Sequence, residues 1–372
     1  MWTPKVAMIT PFYPPSTGGM ERFVAQLTTK LRSRGVHVKV ITGNHFGSNG
    51  YEEDVVHLNT RLVVIGNPVI PSLISELTSD DYDIMHAHDE HALTSNIAAF
   101  SKTLKGTPFV MHCHGSFSGG SLAWRIFVQA YMASLCSYTL SKADATVALS
   151  PSEAKYLTKY KAKNIRIVPN AVDPQELDTN ADPDLFLSKY GLKNKKIALF
   201  VGRLIPLKGV MYVPSLAQRF SSTHPDLVFV IIGDGPLRQK LTQEIRAKRL
   251  KNVLVTGKVD PQTLSSAYEA SNFVLVPSTA EGMPSVVLEA LLFRKPVVVS
   301  DLPNIRDYFE GVCRFIQTGD SHSMAEAVRS LLEKPPSEVE LEDARQMVLT
   351  RFRWTKVVDQ ILETYQEVSD TR

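Results

Sequence analysis

Short apolar, β-branched runs alternate with stretches of helical period along nearly the whole chain. Residues 5–9, 36–41, 84–86, 109–112, 146–149 and 165–168 predict buried strands. Between the first two, residues 20–34 set Phe23, Val24, Leu27 and Leu31 on one helical face, and Gly35 marks the stop. Residues 169–184, rich in Pro, Asn and Asp and without period, read as a connection. Alternation resumes with 197–201, 227–232, 253–256, 273–276 and 297–300, and residues 353–368 predict a closing helix with no strand after it. Such alternation gives parallel sheets covered on both faces. The expected fold is α/β, two doubly wound halves in tandem, with ligands held beyond the carboxyl ends of the strands in a cleft between them.

Length agrees, because 372 residues exceed what one hydrophobic core usually supports. A net charge of +3 gives no argument for nucleic acid. Three cysteines, Cys113, Cys136 and Cys313, make no disulfide framework. Lys5 and Pro11 interrupt the apolar run expected of a signal peptide. The most apolar long stretch, 122–140, contains Arg125 and Gln129 and is too short to span a bilayer. The expectation is a soluble, cytoplasmic protein.

The richest chemistry follows the strand 273–276, where Pro277-Ser278-Thr279-Ala280-Glu281-Gly282-Met283-Pro284-Ser285 runs into a helix carrying Glu289. Glu281 sits in the loop. Glu289 lies one turn into the helix, among Val286, Leu292 and Phe293, where a carboxylate needs hydrogen-bond donors. Sugar hydroxyls or a structural arginine would serve. The amides of Gly282, Met283 and Ser285 open a helix N-terminus suited to an anion. A second loop, Gly202-Arg203-Leu204-Ile205-Pro206-Leu207-Lys208-Gly209, follows the strand 197–201. Arginine offers a bidentate fork and lysine a mobile charge, a pairing suited to a diphosphate. Two solvated cations are the plainer alternative. Gly18-Gly19-Met20-Glu21, ahead of the first helix, allows close backbone approach, although paired glycines are common in turns. The histidines fall in two groups, His86, His88 and His91 after one strand, and His112 and His114 after another. Their spacings miss the common zinc patterns. His114-Gly115 is expected to contact substrate at a strand end, and His86 and His88 to be satisfied structural groups.

Taken together these elements resemble the family 4 retaining glycosyltransferases of GT-B fold, over essentially the whole chain. The resemblance rests on Gly18-Gly19-Met20-Glu21, His114-Gly115, Pro169-Asn170-Ala171-Val172-Asp173, Gly202-Arg203 with Lys208, Gly233-Asp234-Gly235-Pro236, and the pair Glu281 and Glu289. Ala171 and Leu207 depart from the common pattern, away from the presumed catalytic groups. The resemblance implies an acceptor-binding domain at 1–172, a nucleotide-sugar domain at 173–353, and a helix at 354–372 crossing back onto the first. It implies that Arg203 and Lys208 bind the donor diphosphate, that Glu281 contacts the transferred sugar, and that Glu289 contacts the ribose. His114 would lie near the reacting centre and Gly19 near the diphosphate.

The implied activity moves a sugar from a UDP- or GDP-sugar to a glycan or lipid-linked acceptor. Negative charge growing on the leaving phosphate would be met by Arg203, Lys208 and a helix N-terminus. No Asp-x-Asp motif is needed, so neither metal nor cofactor is expected. A glycosidase would not need the two cations beside its carboxylates. A sugar-nucleotide epimerase and a noncatalytic GT-B partner subunit remain as alternatives. Lys142, Lys155, Lys159, Lys161, Lys163 and Arg166, close in sequence to 122–140, raise peripheral contact with an anionic membrane as a further expectation.

Overall fold

The computed structural model describes residues 3–16, 18–44, 54–64, 66–115 and 122–370. Two compact units are present, Met1–Asn170 with Trp354–Arg372, and Ala171–Arg353. The chain leaves the first unit at Asn170, slightly ahead of the boundary expected at 172. The reason is local: the Val172 N–H donates to the Phe352 carbonyl at 2.9 Å, and Val172 bridges Arg353, which ties the outgoing and returning segments to the second unit.

The first unit contains β1 (Lys5–Ile9), β2 (His37–Asn44), β3 (Val55–Asn59), a small antiparallel hairpin of β4 (Leu62–Val64) and β5 (Asn67–Val69), then β6 (Ile84–His88), β7 (Phe109–His112), β8 (Ala145–Ala148) and β9 (Ile165–Ile167). Seven strands form one parallel sheet in the order β3-β2-β1-β6-β7-β8-β9. The second unit contains β10 (Lys196–Val201), β11 (Leu227–Ile232), β12 (Val253–Gly257), β13 (Phe273–Val276), β14 (Val297–Ser300) and β15 (Arg314–Ile316), ordered β12-β11-β10-β13-β14-β15. β6, β7, β8, β11, β13 and β14 are buried at every position, as strands covered on both faces must be. In each sheet the winding reverses once, between β1 and β6 and between β10 and β13. Ligands of open α/β sheets bind beyond the carboxyl ends at such reversals. The loops after β10 and β13 carry Arg203, Lys208 and Glu281.

The helix Gly19–Ser33 turns Phe23, Val24, Leu27 and Leu31 inward. The final helix, Trp354–Asp370, buries Trp354, Val357, Val358, Ile361, Tyr365 and Val368, an i, i+3, i+4, i+7 stripe. Its Trp354 ring lies 5.1 Å from that of Phe23, and the Tyr365 hydroxyl reaches His86 Nδ1 at 2.6 Å. These contacts seat it within the first unit. The apolar stretch 122–140 is not uniform. Leu122–Tyr131 buries no side chain, Met132–Cys136 is a π-helical turn, and Ser137–Lys142 returns into the core.

Candidate functional site

In the second unit, backbone bonds join three loops before any side chain is considered. Leu204 N–H donates to the Asp234 carbonyl at 2.9 Å, and Thr279 N–H donates to the Leu207 carbonyl at 2.8 Å. Gly233 and Gly209 are the positions where this crowding demands glycine. A Cβ on Gly233 would fall 1.9 Å from the Gly202 oxygen. Gly209 has φ +67°, and its Cβ would fall 2.0 Å from the Pro277 oxygen. The loops after β10 and β13 are thereby held against each other.

That contact brings Lys208 to Glu281. The ammonium lies 2.6 Å from Glu281 Oε1, and Ser278 Oγ donates to the same oxygen at 2.6 Å. Glu281 is nearly buried on its side chain, whereas Arg203, on the same loop as Lys208, is exposed. The Asn304 side-chain amide donates to the carbonyls of both Glu281 and Gly282. In a trans peptide the N–H of the next residue points the opposite way, so this anchor turns the Gly282 and Met283 amides together. The helix Ser285–Leu292 follows, with Pro284 at its N-cap. Glu289 on that helix is buried, and Tyr268 O–H donates to its Oε2 at 2.7 Å. The sequence offered sugar hydroxyls or an arginine as partner, and the structure supplies a tyrosine. No motif pointed to Tyr268, which comes from the separate helix Pro261–Ala270.

In the first unit, Gly19 opens its helix with nothing within 4 Å of a Cβ placed there, whereas a Cβ on Gly18 would fall 2.0 Å from Glu21 Oε2. His86 and His88 occupy alternate positions on β6, and His112 and His114 do the same at the end of β7, so all four rings share one face. That parity was readable from the sequence. The His112 and His114 ring centroids lie 4.8 Å apart with planes 5° from parallel, and those of His86 and His112 lie 5.5 Å apart at 10°. Nitrogens of His86, His88 and His112 lie within 4.8 Å of one another. His86 is half satisfied, contrary to expectation: Nδ1 meets Tyr365, while Nε2 has no partner among the described residues. Burial lowers the pKa of His86 to about 3 and of His114 to about 4, which leaves both neutral near pH 7.

A charged cluster of which the sequence named only His91 lies beside them. Burial would lower His91, but Glu90 and Asp89 outweigh it and hold its pKa at about 9. Burial and the neighbouring Glu90 charge push the Glu153 carboxyl up to about 8, although the Leu149 N–H donates to it at 2.5 Å. His114 N–H approaches Glu90 Oε2 at 3.4 Å.

Two family models match the chain, one to each half. Residues 17–176 match "Glycosyltransferase Family 4" and residues 185–348 match "Glycosyl transferases group 1". The chain belongs to the family 4 glycosyltransferases. This glycosyltransferase is 30% identical to the alpha-D-kanosaminyltransferase of Streptomyces kanamyceticus across 52% of its own length and only about half, 51%, of that protein. It is 22% identical to the GPI3 subunit of the Saccharomyces cerevisiae phosphatidylinositol N-acetylglucosaminyltransferase, over 98% of this chain and 83% of the other. The Anabaena protein HepE, solved in complex with UDP, matches with a TM-score of 0.80 at 19% identity, over 98% of this glycosyltransferase and all of HepE (100%). At that identity the likeness shows the fold, GT-B with two Rossmann-like units.

Proposed function

We propose that this glycosyltransferase moves a sugar from a nucleoside diphosphate, UDP or GDP, to a hydroxyl of a glycan or lipid-linked acceptor in the cytoplasm, with retention of anomeric configuration. The observation that carries the reading is the Lys208–Glu281 pair at the winding reversal of the second sheet, beside the turned amides of Gly282 and Met283. An ammonium has three donors, so Lys208 can keep Glu281 while giving another hydrogen bond to the β-phosphate. Arg203 adds a bidentate fork, and the amides add donors without a reorganisation cost as charge develops on the leaving group. Glu281 accepts from hydroxyls of the transferred sugar, Glu289 from the ribose, and His114 and Gly19 belong to the donor site on the first unit. HepE's complex with UDP and the lipid acceptor in the yeast relative's name support the two substrate classes.

Incubation with a panel of UDP-, GDP- and ADP-sugars, read by mass shift of donor and acceptor, tests the donor assignment. The anomeric configuration of the product, read by NMR, tests retention. Binding of a nucleotide sugar with no turnover by the purified chain would favour a second reading, a subunit that needs a partner, as the yeast relative's name suggests. Transfer should survive EDTA followed by gel filtration, because protein cations serve the phosphates. Loss of activity restored by Mg²⁺ or Mn²⁺ would reverse that expectation.

Peripheral membrane contact belongs to the same proposal, on a surface different from the one the sequence suggested. Between β7 and β8 the chain returns from the carboxyl to the amino edge of a parallel sheet. Leu122, Ile126 and Phe127 therefore stand exposed toward one edge, and Lys159, Lys161 and Lys163 toward the other, with Lys142 half-buried. A helix face of this kind lies in the lipid headgroup region with its apolar side inward. Among the described residues, no helix is long and apolar enough to cross a membrane. Co-sedimentation with phosphatidylcholine and phosphatidylglycerol vesicles should persist as salt is raised and fall in Ile126→Ser/Phe127→Ser. Full recovery in the supernatant with both vesicles would remove the contact.

A further inference from the structure

The chain of nitrogens behind His114 fixes where its proton sits. His88 is fully buried, and its Nε2 lies 2.9 Å from the sulfur of Met8, which is also fully buried on the adjacent strand β1. A thioether sulfur has no proton to give and can only accept. Burial, together with the neighbouring His86, His112 and His114 rings, holds His88 neutral, so it carries a single ring proton. If that proton were on Nδ1, the Nε2 lone pair would face the sulfur lone pairs. The proton therefore sits on Nε2, and His88 Nδ1 is left as a bare acceptor. His114 Nε2 lies 2.9 Å from that Nδ1, so it must supply the proton between them.

We infer that His88, set by Met8, is a positioning residue that locks His114 in its Nε2–H tautomer, so that His114 presents a bare Nδ1 and accepts a hydrogen bond from a substrate hydroxyl. An acceptor nitrogen repels phosphate oxygens, which assigns His114 to a sugar or acceptor O–H and not to the diphosphate. Phe23, with its ring 5.5 Å from that of His114 and set edge-on, limits rotation about the side chain. The inference rests on the transferase reading for the hydroxyl's identity. The tautomer stands without it.

Protein labelled with ¹⁵N-histidine, examined by long-range ¹H–¹⁵N correlation, reads the tautomer directly and needs no turnover. The expected result is a protonated Nε2 and bare Nδ1 on His114. In His88→Asn the amide oxygen takes the place of Nδ1, so the tautomer and most of kcat are retained. In His88→Leu the preference is lost and kcat falls on the order of 10²-fold, with donor KM changed little, as expected for a misdirected group near the reacting centre. A proton on His114 Nδ1 in the wild type, or an unchanged tautomer in His88→Leu, overturns the inference. Absence of transfer from every donor, with the tautomer as expected, counts against the transferase reading alone.

Discussion

Arg203→Ala and Lys208→Ala are each expected to lower kcat by on the order of 10²–10³, the scale seen when one preorganised donor to a developing oxyanion is lost. The two should differ in stability. Arg203 is exposed on its loop, so its removal should leave the thermal midpoint unchanged. Lys208 is the counter-charge of a nearly buried carboxylate, and its removal leaves Glu281 with Ser278 as its remaining side-chain donor among the bonds described above. An uncompensated carboxylate in that position costs stability, and Lys208→Ala should melt earlier than Arg203→Ala. Steady-state turnover with the matched sugar nucleotide and a thermal melt together check both statements. Wild-type kcat in either variant would remove the phosphate-clamp assignment.

Gly209→Ala is expected to destabilise the second unit by about 3 kcal/mol, a midpoint shift of roughly 6–12 °C for a unit of this size. Two costs add at this position. The left-handed backbone alone penalises a Cβ by roughly 1–2 kcal/mol. The remainder comes from the Pro277 oxygen, 2.0 Å from the added carbon, which can be relieved only by parting the loops after β10 and β13. Gly191 separates the two costs. It has a nearly identical φ of +65° with nothing within 4 Å of its Cβ, so Gly191→Ala should lose only the backbone share. Because parting the loops also carries Lys208 from Glu281, Gly209→Ala should lose activity beyond its loss of stability, and Gly191→Ala should not. Equal midpoints for the two variants would show that the loop contact does not hold the site.

The central strands were legible because burial on both faces leaves an unbroken apolar run: Val-Val-Val-Ser of β14 and Leu-Val-Phe-Val-Ile-Ile of β11 have few other readings. β3, β15 and the hairpin of β4 and β5 were not, because their half-buried or exposed positions carry polar residues such as His57 and Arg314 that break the apolar run. The same physics divides the site. Glu281 and Lys208 stood out as charged residues directly after strands, in loops rich in Gly and Pro. Tyr268, Met8 and Asn304 did not, since each acts through a partner brought near only by folding, and a buried Tyr or Met looks like ordinary core in a sequence. Whether the apolar stretch 122–140 is covered was not legible, because periodicity reports which face is apolar and not whether anything packs on it.

The helix Trp354–Asp370 imposes an order on biosynthesis. The second unit is a single continuous stretch, Ala171–Arg353, and is synthesised in full while the first is still unfinished. Phe23 waits for Trp354, and His86 for Tyr365, through the synthesis of the entire intervening unit. Domains ordinarily fold from the N-terminus as they emerge. In this chain the domain begun first closes only after the second is made, and its histidine face remains uncovered until the helix Trp354–Asp370 arrives.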